Sequence, residues 1–206
     1  MSFAYYNDKG KAVFFLDPFE FSLTSGKLLC ITGGNGSGKS TFLKVLAGLY
    51  PPEAGTILLD GSPVTATNRQ SYRSLFRPIF TDFHLFDTLY GFDDIDEALL
   101  THWLHRTDLW HKTGVEERKL TERNLSRGQR KRLALVLALM EDKPILLLDE
   151  WAAEQDPQFR RIFYREILSE LRAEGKTIIA VSHDDEHYDV ADRTLKMHYG
   201  KFVPFA

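Results

Sequence analysis

The eight residues GGNGSGKS, Gly33 to Ser40, constrain this chain more than any others. They follow the apolar run KLLCIT, and helix formers from Lys39 to Ala47 follow them, with Gly48 as the C-terminal cap. An apolar run without alternation predicts a strand buried on both faces. Glycines after it let backbone amides curl around phosphate oxygens. The helix N-terminus adds its dipole, Lys39 reaches the outer phosphates, and Ser40 offers a hydroxyl to Mg²⁺. Strand, loop and helix in this order predict a nucleotide site. Gly33, Gly34, Asn35, Gly36, Ser37, Gly38, Lys39, Ser40 and Thr41 are its candidate ATP contacts.

The 206 residues are long enough to bury a real core as one domain. FAYY, AVFFL and EFSL read as short strands broken by Asn7-Asp8, Lys9-Gly10 and Asp17-Pro18, and TILLDG reads as a further strand ending in an Asp-Gly turn. From about 82 to 140 strand signals vanish. Helix formers, the acids Asp93, Asp94, Asp96 and Glu97, and Trp103 and Trp110 predict a helical subdomain inserted in an α/β core. PILLLDE and KTIIAVSH, separated by a helical segment, predict a βαβ unit and a parallel sheet. RTLKMHYGKFVPF predicts a terminal hairpin turning at Gly200-Lys201.

Composition removes several classes of function. A formal net charge of −3 lacks the basic footprint of a nucleic-acid binder, and Arg127, Arg130, Lys131 and Arg132 read as a solvated helix face. No apolar run approaches the ~20 residues that span a bilayer, and the first residues lack the layout of a signal peptide. The single cysteine, Cys30, sits in an apolar stretch and reads as a core residue in a reducing, cytosolic compartment.

Two further motifs carry chemistry. ILLLDE ends an apolar strand in paired carboxylates: Asp149 to hold Mg²⁺ through its hydration shell, and Glu150 to act as general base on the attacking water. LSRGQ opens an amphipathic helix with Leu133, Val136, Leu137 and Met140 on its apolar face. Ser126 with Gln129 three residues on predicts a capping box, and the same helix end is a ready γ-phosphate site for a second molecule to present.

GGNGSGKS, LSRGQ, ILLLDE and VSHD stand in the order and spacing of the nucleotide-binding domain of ATP-binding cassette (ABC) transporters, and the resemblance covers essentially the whole chain. More narrowly, YRSLFRPIFTDFHLFD, LSRGQRKRLAL and DEWAAEQDPQFRRIFY resemble bacterial exporters of cyclic peptides and peptide siderophores. The resemblance implies an α/β P-loop ATPase domain with an antiparallel β subdomain and a helical insert. It implies two copies closing head-to-tail on ATP, with Ser126, Arg127, Gly128 and Gln129 of one copy on the nucleotide of the other. His183 would contact the γ-phosphate and pair with Glu150. Tyr5 would stack on adenine, with Tyr6 as the one-residue slip; a strand residue packed in the core is the other reading of Tyr5. Asp156 matches the aspartate of a loop crossing the dimer interface, and it also suits a helix N-cap before Pro157, with Phe159, Ile162, Phe163 and Ile167 as the buried stripe.

Two positions depart from the family. Thr81 stands where a glutamine usually joins Mg²⁺ and the membrane partner, and TGVEERKLTERN lacks the acidic-glycine pattern common before the signature of exporters. The expected partners are a second copy and a membrane-spanning part, fused or separate, at the cytoplasmic face of a bacterial inner membrane. The fused arrangement is preferred because the exporter relatives fuse the two and this chain begins abruptly on a strand. Rival readings are a soluble ABC ATPase acting on nucleic acid or ribosomes, a small-molecule kinase, and a binding-only cassette.

Overall fold

The computed structural model describes residues 1–92, 94–122, 124–183 and 185–205, and for Asp185 and Glu186 the backbone alone. Asp93 among the insert's acids, Arg123 before the signature and Asp184 of VSHD therefore lie outside the described residues.

Strands β3 (Leu28–Thr32), β9 (Ile145–Asp149) and β10 (Thr177–Val181) form the centre of the molecule. β10 pairs in parallel with both of the others, Val181 lying opposite Ile31 on one side and Asp149 on the other. The alternation of side chains divides each strand between two cores. Leu28, Cys30, Leu146, Leu148, Ile178 and Ala180 face one cluster, while Leu29, Ile31, Leu147, Ile179 and Val181 face the other. The first cluster is roofed by α4 (Arg127–Met140) and by the helical run after β9; the second by α1 (Lys39–Leu46) and by β1 (Phe3–Tyr6) and β2 (Ala12–Leu16). Both faces are covered, which is why these strands read as unbroken apolar runs. Burial pushes the Cys30 thiol up to about 12, so it is an inert core group.

The full sheet has six strands in the order β12-β11-β3-β10-β9-β6. β11 (Arg193–His198) runs parallel to β3, and β12 (Lys201–Val203) closes the edge as an antiparallel hairpin. Its turn is Tyr199-Gly200, one residue earlier than the sequence predicts, because His198 pairs with Lys201 and the two residues between them take positive φ. The opposite edge strand, β6 (Phe76–Ile79), is unforeseen: Arg77 and Pro78 break the apolar pattern. An edge position tolerates Pro78, since only one side of the strand needs ladder donors.

β1 and β2 pair antiparallel as FAYY and AVFFL predict, but EFSL forms no strand. TILLDG contributes only β4 (Leu58–Leu59), which turns through Asp60-Gly61 into β5 (Ser62–Pro63). The 82–140 region is not purely helical. After the short α2 (Arg69–Arg73) and β6, a long irregular stretch leads to α3 (Glu97–Arg106), and a hairpin of β7 (Val115–Glu116) and β8 (Lys119–Leu120) precedes α4. Two-residue strands are too short to leave a periodic signal. Trp103 is buried in this region, whereas Trp110 is 59% exposed.

The helix starts follow local chemistry. Asp96 Oδ1 accepts from Leu99 N at 2.9 Å to cap α3. Ser126 and Gln129 make the reciprocal capping box of α4, at 3.2 and 2.9 Å. Asp156 Oδ1 accepts from Phe159 N at 2.8 Å and caps α5 (Pro157–Ile162), with Pro157 in the first turn. The helix then opens into a π-helical turn, Phe163–Ile167, before α6 (Leu168–Ala173). α1 starts differently, for its N-cap is Gly38 at φ 107° with no side-chain cap. Its first amides are left for something else to satisfy.

On α4, Leu133 and Val136 are buried while Leu137 and Met140 are half-buried. The basic cluster is a solvated face only in part: Arg127 and Arg130 are exposed. Lys131 is 2% exposed, and Arg132 lies over the Phe159 ring, 3.6 Å from its centroid, while bonding Gln155 Oε1 at 2.8 Å and Asp156 Oδ2 at 2.6 Å. Lys131 shares a helix face with Ala134, Leu135 and Ala138, so 3.6-residue periodicity was the available signal.

Candidate active site

β3, β9 and β10 end at one edge of the sheet, and the loops leaving β3 and β9 line a cleft of about 430 Å³. The C-terminal edge of parallel strands is where an α/β sheet presents its ligands. The 33–38 loop and the first turn of α1 form its floor, Tyr5 and Phe14 one side, Thr81 and Glu150 the other.

Gly33 takes φ 142° and Gly38 φ 107°, conformations that suit glycine alone. A Cβ on Gly33 would stand 2.1 Å from the Met197 carbonyl oxygen, so the loop lies directly on β11. Lys39, buried on α1, turns back over the loop. Its ammonium donates to the Gly33 and Gly34 carbonyl oxygens at 2.8 and 3.0 Å and stands 3.6 Å from Glu150 Oε1. Ser37 Oγ is buried with no hydrogen-bond partner, an acceptor and donor held inside the loop.

Asp149 closes β9 at 3% exposure, and burial pushes its carboxyl above the usual carboxylate range, against the opposing pull of a hydrogen bond from Ser40. Its Oδ1 is buried and unpartnered. An orphaned carboxylate oxygen beside a serine hydroxyl at the mouth of a phosphate loop is a hard-oxygen donor set that fits Mg²⁺. Among the described residues no group of three or more acidic, histidine or cysteine side chains could hold a metal, so such an ion would take its remaining ligands from water and phosphate. The Thr81 hydroxyl donates to the Asp149 carbonyl at 3.2 Å, and only its lone pairs remain to face the cleft.

Glu150 adopts a left-handed backbone, φ 51°, ψ 35°, which turns its carboxylate back into the cleft. Oε1 lies 3.0 Å from His183 Nε2. His183 follows β10 directly after Ser182, whose amide donates to Ile31 O at 3.1 Å and whose hydroxyl bonds the Tyr164 phenol at 2.7 Å. Tyr5 packs edge-on to Phe3 and Tyr50 and tilts against Phe14, with part of its ring left on the cleft. Tyr6 points out at 56% exposure.

The signature residues are elsewhere. Ser126, Arg127, Gly128, Gln129 and Asp156 do not line this cleft but gather around 150–156: Arg127 Nε meets Glu154 Oε2 at 2.9 Å, and Gln155 Nε2 donates to Gly128 O at 3.2 Å. A Cβ on Gly128 would stand 3.0 Å from the Glu154 carbonyl, which explains the second position of the RG pair. The Asp156 carboxyl is held below the usual range chiefly by the Phe159 amide, with Arg132 adding to it. Lys131, whose ammonium donates to the Glu150 carbonyl at 3.0 Å, is the residue at this centre that sequence reasoning missed.

A buried parallel sheet, a glycine loop folded under a lysine and two carboxylates at the end of β9 define a P-loop ATPase domain of the ABC type. The chain belongs to the ABC transporter family, whose model matches residues 16–153. It is 46% identical over 203 residues to the ATP-binding protein SyrD of Pseudomonas syringae pv. syringae, covering 97% of this chain and 36% of that one. In fold it is similar to a bacterial Atm1-family ABC exporter with ATP bound, at TM-score 0.81 and 23% identity over 98% of this chain and 37% of that one. It is similar also to a dimeric ATP-binding cassette in a post-hydrolysis state bound to ADP and Pi, at TM-score 0.80 and 21% identity over 98% of this chain and 94% of that one. The chain thus spans about a third of the length of SyrD and of the exporter.

Proposed function

We propose that this ATPase domain works as one half of an ATP-dependent, head-to-tail dimer that powers export of a cyclic peptide or siderophore through a membrane-spanning partner. The observation that carries the reading is the convergence of Lys39, Glu150 and His183 within 3.6 Å contacts above the phosphate loop. The free amides at the start of α1, with Lys39, receive the β- and γ-phosphates, and adenine lies on Tyr5. Ser40 and Asp149 would hold Mg²⁺, with the Thr81 hydroxyl beside Asp149, and a bound ion would supply neutralisation of the phosphate charge. Glu150 takes a proton from the attacking water, His183 orients the γ-phosphate, the new P–O bond forms as the bond to the β-phosphate oxygen breaks, and ADP and inorganic phosphate leave. Lys39 meets the charge that grows on the transferred group.

Ser126, Arg127, Gly128 and Gln129 sit off the cleft on a capped helix start, which supports their serving the partner copy's nucleotide, with Asp156 at the same border. A groove lined by Phe83, Phe86 and Tyr90 beside Thr81 supports docking of a membrane partner, and 60% of the Phe86 surface is exposed. No helix among the described residues is long and apolar enough to cross a membrane. That the chain aligns with about a third of SyrD supports a fused partner, and we place the domain at the cytoplasmic face of a bacterial inner membrane.

The test is Glu150→Gln with Mg²⁺-ATP. Turnover falls by about 10²–10⁴, the usual worth of a general base, while ATP remains bound and light scattering reports twice the monomer mass. Parental turnover would overturn the role of Glu150, and a mass fixed at the monomer would overturn the dimer.

A further inference from the structure

Lys131 is a buried cation that the hydrolysis scheme does not use. It lies on α4 five residues after the cap Ser126, with its side chain 2% exposed. The ammonium donates to the Glu150 carbonyl at 3.0 Å and lies 3.6 Å from Glu154 Oε1. The Trp151 indole N–H, itself in the core, donates back to the Lys131 carbonyl at 2.8 Å. Helix and post-strand turn are thus tied in both directions. Burying an ammonium is unfavourable, and a methionine of similar length would fill the space without that cost. Desolvation pushes the Lys131 ammonium below the usual lysine range.

Glu150 needs such a tie. Its left-handed backbone is unfavourable for a non-glycine residue and persists only where the surroundings enforce it. Its amide is fixed by Val181 O at 3.1 Å, and its carbonyl by Lys131 at 3.0 Å and by the Ala153 amide at 3.4 Å. Without Lys131 the carbonyl keeps only the longer Ala153 bond, and the carboxylate shifts away from Lys39 and His183.

We propose that Lys131 is a positioning residue for the catalytic base: it pins the left-handed turn at Glu150 to α4 and so aims the carboxylate at the attacking water. Lys131 does not line the cleft. The inference rests on the assignment of Glu150 as base.

A double-mutant cycle on the full chain tests it, measuring ATP hydrolysis in single-turnover conditions and ATP affinity by equilibrium binding. Lys131→Met is expected to slow hydrolysis by about 10- to 100-fold, the effect of a base misplaced by about 1 Å, with ATP affinity within twofold of the parent. In the Glu150→Gln background the same substitution is expected to slow hydrolysis no further, because there is no base left to aim. Unchanged turnover in the single variant overturns the proposal. Turnover and affinity falling together overturn it too, as do losses that multiply across the cycle. If Lys131→Met does not fold, Lys131→Leu enters the same cycle with the same expectations, since it too has no donor for the Glu150 carbonyl. A Glu150→Gln chain as fast as the parent instead overturns the base assignment itself.

Discussion

Replacing Lys39 by methionine separates the fold from the site. The ammonium is 4% exposed and makes two charge-assisted bonds to carbonyl oxygens, at 2.8 and 3.0 Å. Bonds of this kind contribute about 1.5–3 kcal/mol each. Against them stands the desolvation of the ammonium, which is several kcal/mol; the exposed Gly34 carbonyl regains water in the variant, but the buried Gly33 carbonyl is left unpaired. The effects partly cancel, and stability falls by about 1–2 kcal/mol, or roughly 2–8 °C in Tm for a chain of this size. Nucleotide binding has no such compensation. A phosphate oxygen standing where Glu150 Oε1 now stands, 3.6 Å from Nζ, gains about 4–5 kcal/mol at an effective dielectric of about 20. Dehydrating the partners removes about half, leaving about 2–3 kcal/mol, or a 30- to 150-fold loss of affinity. Fluorescence anisotropy with a labelled ATP, beside a thermal melt, reads both quantities. A dissociation constant within twofold of the parent's would refute the phosphate role of Lys39, and a Tm lowered by 10 °C or more would show that the lysine is chiefly structural.

Two glycines of the loop should behave in opposite ways. Gly33→Ala forces a positive φ on alanine and drives its Cβ into the Met197 carbonyl, and costs about 2–3 kcal/mol; Gly34→Ala meets nothing within 4 Å and changes stability by less than about 0.5 kcal/mol in urea denaturation. Equal midpoints would refute the loop geometry. Tyr72 donates to Leu46 O at 2.6 Å, and burial pushes its phenol up to about 12. A phenol raised in the folded state keeps its proton while the unfolded chain releases it at about 10, so its stabilisation is intact below pH 10 and drains away between about pH 10 and 12, by roughly 2–3 kcal/mol. Tyr72→Phe costs about 1 kcal/mol at pH 7 and flattens that part of the curve. A variant profile parallel to the parent's over pH 10–12 would contradict this account.

Where neighbours in sequence also act together in space, the sequence was sufficient. The loop GGNGSGKS, its flanking strand and helix, the carboxylates ending ILLLDE and the caps Ser126 and Asp156 are all local chemistry. They are legible because a strand buried on both faces, an amide nest and a helix N-terminus each have a fixed spacing. Elements stabilised by distant pairing were not legible. β6 is a strand only because β9 offers it a ladder, and EFSL is not one because nothing does. Burial decided the rest: Lys131 reads as a surface charge in a basic run, and only the packing of α4 on the turn after β9 turns it inward onto Glu150. The left-handed backbone of that glutamate, which aims its carboxylate at Lys39 and His183, is likewise imposed by groups 19 to 31 residues away in the chain. Local propensity would never choose it.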